Sequence, residues 1–591
     1  MPERPALGAL PSVRSPAAIG PPQRYGSGRP AYRGRHPPRS PSCERPPPAA
    51  FRDASRDGRA AGHGEGAGSG TEPAAGPLRT APGRLAGPPG ARFTGRWPAS
   101  TPTDGPRTPG GPVNTYVPPR FDPTRVPHLL GSFAPVSEEV DVADLEVTGE
   151  LPDTLDGLYL RNGPNPRFTP IGSYLYPIDG DGMLHGVWLS GGRARYRNRF
   201  VRTPALVAEE RAGRALWGGL ASMIMPDADE VGPELAGTFR DMPDINVVRH
   251  AGRLLALAES ACPFRVDGGL ATLGREEFGG ALPAGITAHP KIDPVTGEMV
   301  VFCYGLEPPY LTWSVIDRHG TVGRGPTPVD GVDEPIMIHD MALTDRYAVL
   351  VLAPAFFDLA AAMTGGSFLS WRPERGTRVA LIPRDGGPLR WASDEAFWVW
   401  HTVNAYDDGP GADAPVVLDY VQWSRLTVGG PQEDTDPLSG GLVRARIDPV
   451  AGSMARTLLD DSRVEFPRVD DRRIGRRHRY TALATDTGRT DLLPGEYDAV
   501  RWYDNETGTS RVWSAGNLSV GEPVFAPEPG SFGAGAEERG YWLTFATDRT
   551  DGSSWFLVLP AEDPASGPVA RARIPVRVPL GLHGSWLPTE E

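Results

Sequence analysis

Short apolar runs, each bounded by Gly, Pro, Asp or Asn, recur from residue 114 to the end of the chain. Runs of this length that are rich in Val, Leu, Tyr and Trp are typical of β-strands. About 480 residues of such runs exceed one sandwich or small barrel, whereas a β-propeller fits this size. The sequence shows no repeat from blade to blade, so it does not by itself fix the number of blades. The clearest runs are RLLALAES, GEMVVFCYG, RYAVLVLAP, TRVALIP, PVVLDYVQW, GLVRARIDP, RVWSAGN, YWLTFAT, WFLVLPA and ARARIPVRVP.

Four histidines lie among apolar or small residues in the second half of the chain. They are His289 in GITAHPKIDPVTGE, His339 in PIMIHDMALTD, His401 in FWVWHTVNAYDD and His583 in VPLGLHGSWLP. Neutral imidazole is the commonest protein ligand for a borderline transition metal. Because the histidines are 50, 62 and 182 residues apart, they can meet only if distant strands converge. The inner strands of a propeller do so around its central channel.

The same segments, with others in the same order, resemble the carotenoid cleavage oxygenases, a family of non-haem iron enzymes that split conjugated alkenes with O2. The resemblance covers about residues 114–591. It implies an all-β, seven-bladed propeller with a helical and loop cap over a metal site on the central axis. The further segments are FAPVSEEV, LYLRNGPNPRF, YPIDGDGMLHGVWL, LLALAES, VEFPRVDDR, YTALA, GEPVFAPEPGS and ERGYWLTFATD.

The resemblance also assigns the site. It implies that the four histidines bind one Fe(II), with O2 as cosubstrate. It further implies that Glu259 in ALAES, Glu465 in VEFP and Glu522 in GEPVF orient His339, His401 and His583, since a metal-bound histidine usually donates its second N–H to a carboxylate. Ile245 stands where many relatives carry Thr or another small residue beside the open iron position. We expect this isoleucine to exclude solvent there.

The expected reaction is oxidative cleavage of one conjugated C=C bond into two carbonyl products. A carotenoid or apocarotenoid is the favoured substrate. The stilbene-cleaving branch of the family anchors a phenol with Tyr and with a Lys just after the strand equivalent to RNRFVRT, but here PALVAEE follows. The only lysine, Lys291, lies in the AHPK motif instead. A stilbene- or phenylpropenoid-cleaving dioxygenase, a retinyl-ester isomerohydrolase and a catalytically inactive propeller scaffold remain as alternatives.

Seven other histidines are present. His185 in GDGMLHGV is the strongest alternative ligand, but the family has none at that place. The remaining six are predicted to be solvated, and they are His36, His63, His128, His250, His319 and His478.

Residues 1–113 differ from the rest in composition. They contain 23 Pro and 19 Gly, and 16 Arg against 7 acidic residues. Such a segment cannot bury enough apolar surface to offset its conformational entropy, so we predict a disordered extension. The whole chain nevertheless has a net charge of −13. The acidic remainder argues against a nucleic-acid partner, which requires clustered cations.

The three cysteines, Cys43, Cys262 and Cys303, are too few and too scattered for a disulfide framework or a thiolate metal site. No apolar run has the length of a signal peptide or membrane span, so a cytoplasmic protein is expected.

Two apolar insertions, residues 214–227 and 355–371, are helix-compatible. By resemblance they cap the propeller, and we expect them to form an exposed patch that contacts a membrane. The residues expected in it are Trp217, Met223, Met225, Phe356, Phe357, Phe368 and Leu369.

Overall fold

A computed structural model describes residues 121–589, apart from 176–177, 223, 364–366, 427–439 and 534. The extension predicted for residues 1–113 lies outside the described residues, as does Met223.

Strands dominate the described part of the chain. In chain order they are β1 (Asp141–Val142), β2 (Val147–Gly149), β3 (Gly157–Arg161), β4 (Met183–Ser190), β5 (Arg193–Phe200), β6 (Asn246–His250), β7 (Arg253–Leu257), β8 (Phe264–Val266), β9 (Thr272–Arg275), β10 (Lys291–Ile292), β11 (Met299–Tyr304), β12 (Leu311–Ile316), β13 (Val322–Pro328), β14 (Met341–Leu343), β15 (Tyr347–Leu352), β16 (Ala355–Phe357), β17 (Leu369–Trp371), β18 (Thr377–Pro383), β19 (Arg390–Asp394), β20 (Thr402–Asp407), β21 (Val416–Gln422), β22 (Gly441–Asp448), β23 (Ser453–Asp460), β24 (Val464–Arg468), β25 (Tyr480–Thr485), β26 (Ala499–Asp504), β27 (Thr509–Ser514), β28 (Leu518–Val520), β29 (Val524–Pro527), β30 (Gly540–Asp548), β31 (Ser554–Pro560), β32 (Ala570–Ile574) and β33 (Gly584–Pro588).

The described α-helices are few and short. They are α1 (Pro204–Ala212), α2 (Ala228–Val231) and α3 (Leu359–Met363). Thr203 caps the first of them by accepting the Leu206 N–H at 3.1 Å, and Gly213 ends it with a φ of 68°. None of the helices in the described residues is long and apolar enough to span a bilayer.

The strands form seven antiparallel blades, which confirms the predicted propeller. Five blades consist of β6–β9, β10–β13, β14 with β15, β18 and β19, β20–β23, and β24–β27. The sixth blade combines β28–β32 with β2, and the seventh combines β33 with β3, β4, β5 and β1. Because C-terminal β33 pairs with β3, strands from opposite ends of the fold share one blade and close the ring.

The core lies between neighbouring blades. Val349 and Leu381 of the third blade pack against Leu418 and Ala445 of the fourth. Both faces of a middle strand are therefore covered, and β15 and β21 are buried along their whole length. Outer strands such as β23 alternate between exposed and half-buried residues. Continuous apolar runs such as RYAVLVLAP and PVVLDYVQW thus mark middle strands that are covered on both faces.

The two insertions differ from the predicted helices. Residues 214–227 form a loop, in which Gly218 donates its N–H to Ile224 O at 2.9 Å. A Cβ on Gly219 would lie 2.3 Å from the Asp179 carboxylate, so the chain can pass there only as glycine. Residues 355–371 form the hairpin β16–β17, with α3 in its connection. Helix in this segment is therefore confined to the five residues of α3, while residues 355–357 and 369–371 pair as strands.

Candidate metal centre

The structure brings together the four histidines selected from the sequence. His289 Nε2 lies 3.1 Å from His339 Nε2, which lies 3.3 Å from His401 Nε2. His401 Nε2 lies 3.1 Å from His583 Nε2. One nitrogen from each ring falls within 4.8 Å of all the others, and all four residues are buried. Four imidazole nitrogens facing one point form a donor set of the kind that holds a transition metal ion.

Each histidine occupies the same place in its blade. His289 and His339 come two residues before β10 and β14, and His401 and His583 come one residue before β20 and β33. These strands are the edge strands of their blades. Several of them contact the corresponding strand of a neighbouring blade, as β14 contacts β20. The histidines therefore project from the start of inner strands towards the axis.

Three glutamates contact three of the histidines at the nitrogen facing away from the cluster. Glu465 Oε2 lies 2.5 Å from His401 Nδ1, and Glu522 Oε1 lies 2.8 Å from His583 Nδ1. Glu259 Oε1 contacts His339 Nδ1. An Nδ1–H donated to a carboxylate leaves the Nε2 lone pair pointing into the cluster and fixes the ring orientation.

Each glutamate is itself held by a side chain that the sequence analysis did not select. Tyr304 donates its hydroxyl to Glu259 at 3.2 Å, and Trp423 donates its indole N–H to Glu465 at 3.0 Å. Arg468 donates to Glu522 at 3.0 Å. Arg468 follows Glu465 by three residues in VEFPRVDDR, a segment already singled out. No local pattern marks Tyr304 or Trp423.

The electrostatics keep Glu522 ionised and His583 neutral. Burial would raise the pKa of Glu522, but the Arg468 guanidinium and the His583 ring hold that pKa at about 2. Burial lowers the pKa of His583 to about 4 despite the neighbouring carboxylate. Burial, together with the other imidazoles, also holds the pKa of His289 well below its usual range. At neutral pH His289 and His583 are therefore neutral and able to donate a lone pair.

Apolar side chains surround the cluster. The Phe466 ring stacks 5.5 Å from His401, and Trp400 meets His339 edge-on at 4.8 Å. Phe466 has a φ of 50°, which is rare for a bulky residue and marks a backbone held by its surroundings. Ile245 is buried in the same apolar cluster as Leu582 and Phe466. Its backbone carbonyl accepts a hydrogen bond from the backbone N–H of His583 at 3.1 Å.

A cavity of about 170 Å³ lies where the two insertions meet. Leu220 and Ala221 line it from the 214–227 loop, and Phe368 and Trp371 line it from the 355–371 segment. Leu220 and Phe368 pack against the apolar cluster that contains Ile245. The cavity wall is thus continuous with the apolar surroundings of the histidines.

Of the other seven histidines, His36 and His63 lie outside the described residues, and the remaining five lie outside the cluster. His185 Nδ1 lies 2.8 Å from the Tyr196 hydroxyl within the core of the seventh blade. The prediction that His250 and His478 are solvated is wrong, because both are buried. His250 contacts the Gly297 carbonyl at 3.0 Å and His478 contacts Thr481 at 3.1 Å. The turn-like flanks of His250 gave no sign of Gly297, 47 residues away, and the arginine-rich flanks of His478 gave no sign of its burial.

The predicted exposed patch needs a similar correction. Trp217 is buried, and its indole N–H bonds to Thr238 O at 2.8 Å. Phe356 is also buried, beneath Arg372 and Arg375. The exposed apolar side chains near the first insertion are instead Ile224, 43% exposed, and Phe239, 53% exposed.

Fold and site together define a class: β-propellers with a four-histidine centre backed by three glutamates. The family described as retinal pigment epithelial membrane protein matches residues 133–588. Among curated proteins, a carotenoid cleavage oxygenase of Mycobacterium tuberculosis is 34% identical over 78% of this chain and 98% of its own. Carotenoid 9,10(9',10')-cleavage dioxygenase 1 of Phaseolus vulgaris is 32% identical over 79% of this chain and 90% of its own.

Solved structures give the same result. The Pseudomonas brassicacearum lignostilbene dioxygenase matches with a TM-score of 0.71 and 30% identity, over 79% of this chain and 99% of that one. A single-site variant of the Synechocystis apocarotenoid oxygenase matches with a TM-score of 0.68 and 27% identity, over 79% of this chain and 99% of that one. The chain belongs to the carotenoid cleavage oxygenase family, and the family assignment made from the sequence is confirmed.

Proposed function

We propose that this chain is an Fe(II)-dependent dioxygenase that cleaves one conjugated C=C bond of a carotenoid or apocarotenoid with O2. The convergence of four imidazole Nε2 atoms, three of whose rings contact a carboxylate, carries the proposal. Neutral imidazoles suit Fe(II), and their number leaves coordination positions for O2. When bound, the iron supplies activation of O2.

The protein's own residues position and shield the reactants. Glu259, Glu465 and Glu522 fix three rings, while Phe466 and Ile245 exclude water beside the histidines. Both oxygen atoms of O2 enter the two carbonyl products, so the overall reaction neither consumes nor releases a proton. The balanced reaction therefore gives the protein no net proton to supply or remove.

Two observations support a polyene over a phenolic stilbene. The cavity at the insertions is lined largely by Leu, Ala, Phe and Trp, which match a hydrocarbon chain. Lys291, the only lysine, is bonded to Asp340 at 2.8 Å and so is not free to bind a phenolate. The isoeugenol monooxygenase of Pseudomonas nitroreducens, 30% identical over 78% of this chain, keeps phenylpropenoid cleavage as the second candidate.

The test is product analysis by mass spectrometry. Iron-loaded protein is incubated with a carotenoid, an apocarotenal and a hydroxystilbene under O2. We expect two carbonyl products from the carotenoid or apocarotenal, and no iron or activity in His339→Ala. His185→Gln, a buried histidine outside the cluster, serves as the control and should retain both. Cleavage of the stilbene alone would establish the second candidate, and no cleavage with bound iron would favour a scaffold.

We also propose that the protein collects its substrate from a membrane surface. Ile224 is exposed on the 214–227 loop, which lines the cavity through Leu220 and Ala221. Phe239 is exposed next to Thr238, the hydrogen-bond partner of Trp217 in that loop. Exposed apolar side chains beside an apolar cavity suit contact with lipid.

A further inference from the structure

One of the four histidines lacks the carboxylate contact that the other three possess. Within the described part of the chain, the carboxylate that comes within 4 Å of His289 is that of Asp340, whose Oδ1 lies 3.9 Å from Nδ1. That separation is too long for a hydrogen bond. Something other than a directly bonded glutamate must therefore fix the position of His289.

Asp340 is bonded on both of its oxygens. Lys291 Nζ donates to Oδ1 at 2.8 Å, and the Met341 N–H donates to the same oxygen at 2.6 Å. Thr402 approaches Oδ2 with both its N–H and its hydroxyl, each at 2.8 Å. The side chain is only 3% exposed. A carboxylate buried this deeply can carry its charge without a large free-energy cost only while its hydrogen-bond donors and its cation stay in place.

The partners of Asp340 lie on the strands that carry the histidines. Lys291 is the first residue of β10, two after His289, and Thr402 is the first residue of β20, one after His401. Asp340 itself lies between His339 and β14. Its hydrogen bonds therefore join the inner strands of three consecutive blades directly beside three of the imidazoles.

The choice of lysine at position 291 is itself informative. The chain has 60 Lys plus Arg residues, and this one alone is Lys. An ammonium is a compact point charge, whereas the planar guanidinium fork is suited to two acceptors. Asp340 Oδ2 is already occupied by Thr402, so a single acceptor oxygen remains for the cation.

We propose that Asp340, held by Lys291 and Thr402, is the fourth positioning carboxylate of the metal centre. It sets the spacing of β10, β14 and β20 and thereby directs His289, which bonds no carboxylate of its own. Asp340 acts through the strands and contacts neither metal nor substrate. The inference rests on the proposed metal site.

The experiment measures Co(II) binding to the metal-free full-length chain by competitive titration, together with the visible absorption spectrum of the Co(II) complex. The variants are Asp340→Asn, Lys291→Met, Lys291→Arg and Thr402→Val. The matched control is Asp419→Asn. Asp419 is a buried carboxylate of the fourth blade, bonded by Arg444 at 2.7 Å on each oxygen.

We expect Asp340→Asn and Lys291→Met to weaken Co(II) binding by about tenfold or more and to alter the ligand-field bands, since residues that orient ligands act on this scale. Lys291→Arg retains the charge but replaces a point contact by a planar fork, so its Co(II) affinity should fall between those of the wild type and Lys291→Met. Asp419→Asn should lower the melting temperature of the metal-free protein while leaving Co(II) affinity and spectrum unchanged. A positioning residue should thus change Co(II) affinity and spectrum, whereas a residue that only stabilises the fold should change the melting temperature alone.

Wild-type affinity and spectrum in Asp340→Asn would overturn the inference. If Asp340→Asn does not fold, the test rests on Lys291→Met and Thr402→Val. Wild-type Co(II) spectra in both of these variants would also overturn the inference. If the wild-type chain binds neither Co(II) nor Fe(II), the proposed function itself fails. If only the inference about Asp340 fails, the wild-type chain still binds metal.

Discussion

At the scale of single residues, the three glutamates play the same part but stand in different surroundings. Glu259 bonds a neutral phenol, Glu465 a neutral indole, and Glu522 the cationic Arg468. A carboxylate paired with a guanidinium has less negative charge to share with its histidine. We therefore expect His583 to be the least electron-rich of the three carboxylate-bound imidazoles.

Replacing any one of these glutamates by glutamine should weaken iron binding by roughly ten- to a hundredfold without unfolding the protein. Glu522→Gln should also lower the melting temperature, because Arg468 then keeps Asp471 but loses its buried anionic partner. Iron titration and thermal melts check both effects. Glu496→Gln, at a buried carboxylate that bonds Ser519 and Leu493, should leave iron affinity unchanged.

Protonation of the buried His478 should make the stability of the protein depend on pH. Burial lowers its pKa to about 4 in the folded chain, against a usual value of 6.5. Between these values the unfolded chain binds a proton that the folded chain does not, so stability falls as pH drops from about 6.5 to about 4. The difference amounts to roughly 3 kcal/mol.

Urea titrations of the iron-loaded protein at pH 7 and pH 5 measure this loss. His478→Gln retains a hydrogen-bonding side chain but cannot be protonated, so its stability should fall less over the same interval. Equal losses in the variant and the wild type would show that other groups cause the acid sensitivity.

At the scale of elements, the β16–β17 hairpin is a two-stranded insertion in the third blade. It is inserted between β15 and β18, and its side chains help to line the cavity at the insertions. A blade interrupted in this way adds a cavity wall without disturbing the register between β15 and β18.

Phe368→Glu should raise KM for a long carotenoid by about tenfold or more, because it places a charge in a wall that faces a hydrocarbon. Iron content should not change, since the residue lies outside the histidine cluster. Steady-state kinetics with Phe368→Leu, which stays apolar, provides the matched control. Equal KM values for the two variants would show that the polyene does not cross this wall.

At the scale of the whole molecule, we expect the exposed apolar side chains Ile224 and Phe239 to make the proposed contact with lipid. Ile224→Glu combined with Phe239→Glu should reduce liposome co-sedimentation several-fold, because both changes add charge to a surface that meets lipid. Val450→Glu, at a 66% exposed valine in the β22–β23 turn, is the control and should sediment like the wild type. Unchanged binding by the double variant would place the contact elsewhere.

Deleting residues 1–113 is the second test at this scale. Their Pro, Gly and Arg content cannot supply a core, so activity and melting temperature should stay within error of the full chain. A fall in melting temperature of several degrees would show that the segment packs on the propeller.

The sequence by itself determined the strands and the chemistry of the site. Runs such as RYAVLVLAP and PVVLDYVQW became β15 and β21 because side-chain spacing and apolar content act locally. His289, His339, His401 and His583 stood out because imidazoles among apolar flanks need a partner. The family resemblance then supplied Glu259, Glu465 and Glu522, which the structure places against three of these rings.

Only the tertiary structure decided which polar groups meet. Asp340 bonds Lys291 and Thr402, 49 and 62 residues away, and no local pattern links them. The same holds for His478, predicted to be solvated but buried, and for Trp217, predicted to be exposed but bonded to Thr238. Blades pack face to face, so the burial of a side chain depends on a neighbouring blade that its own segment does not encode.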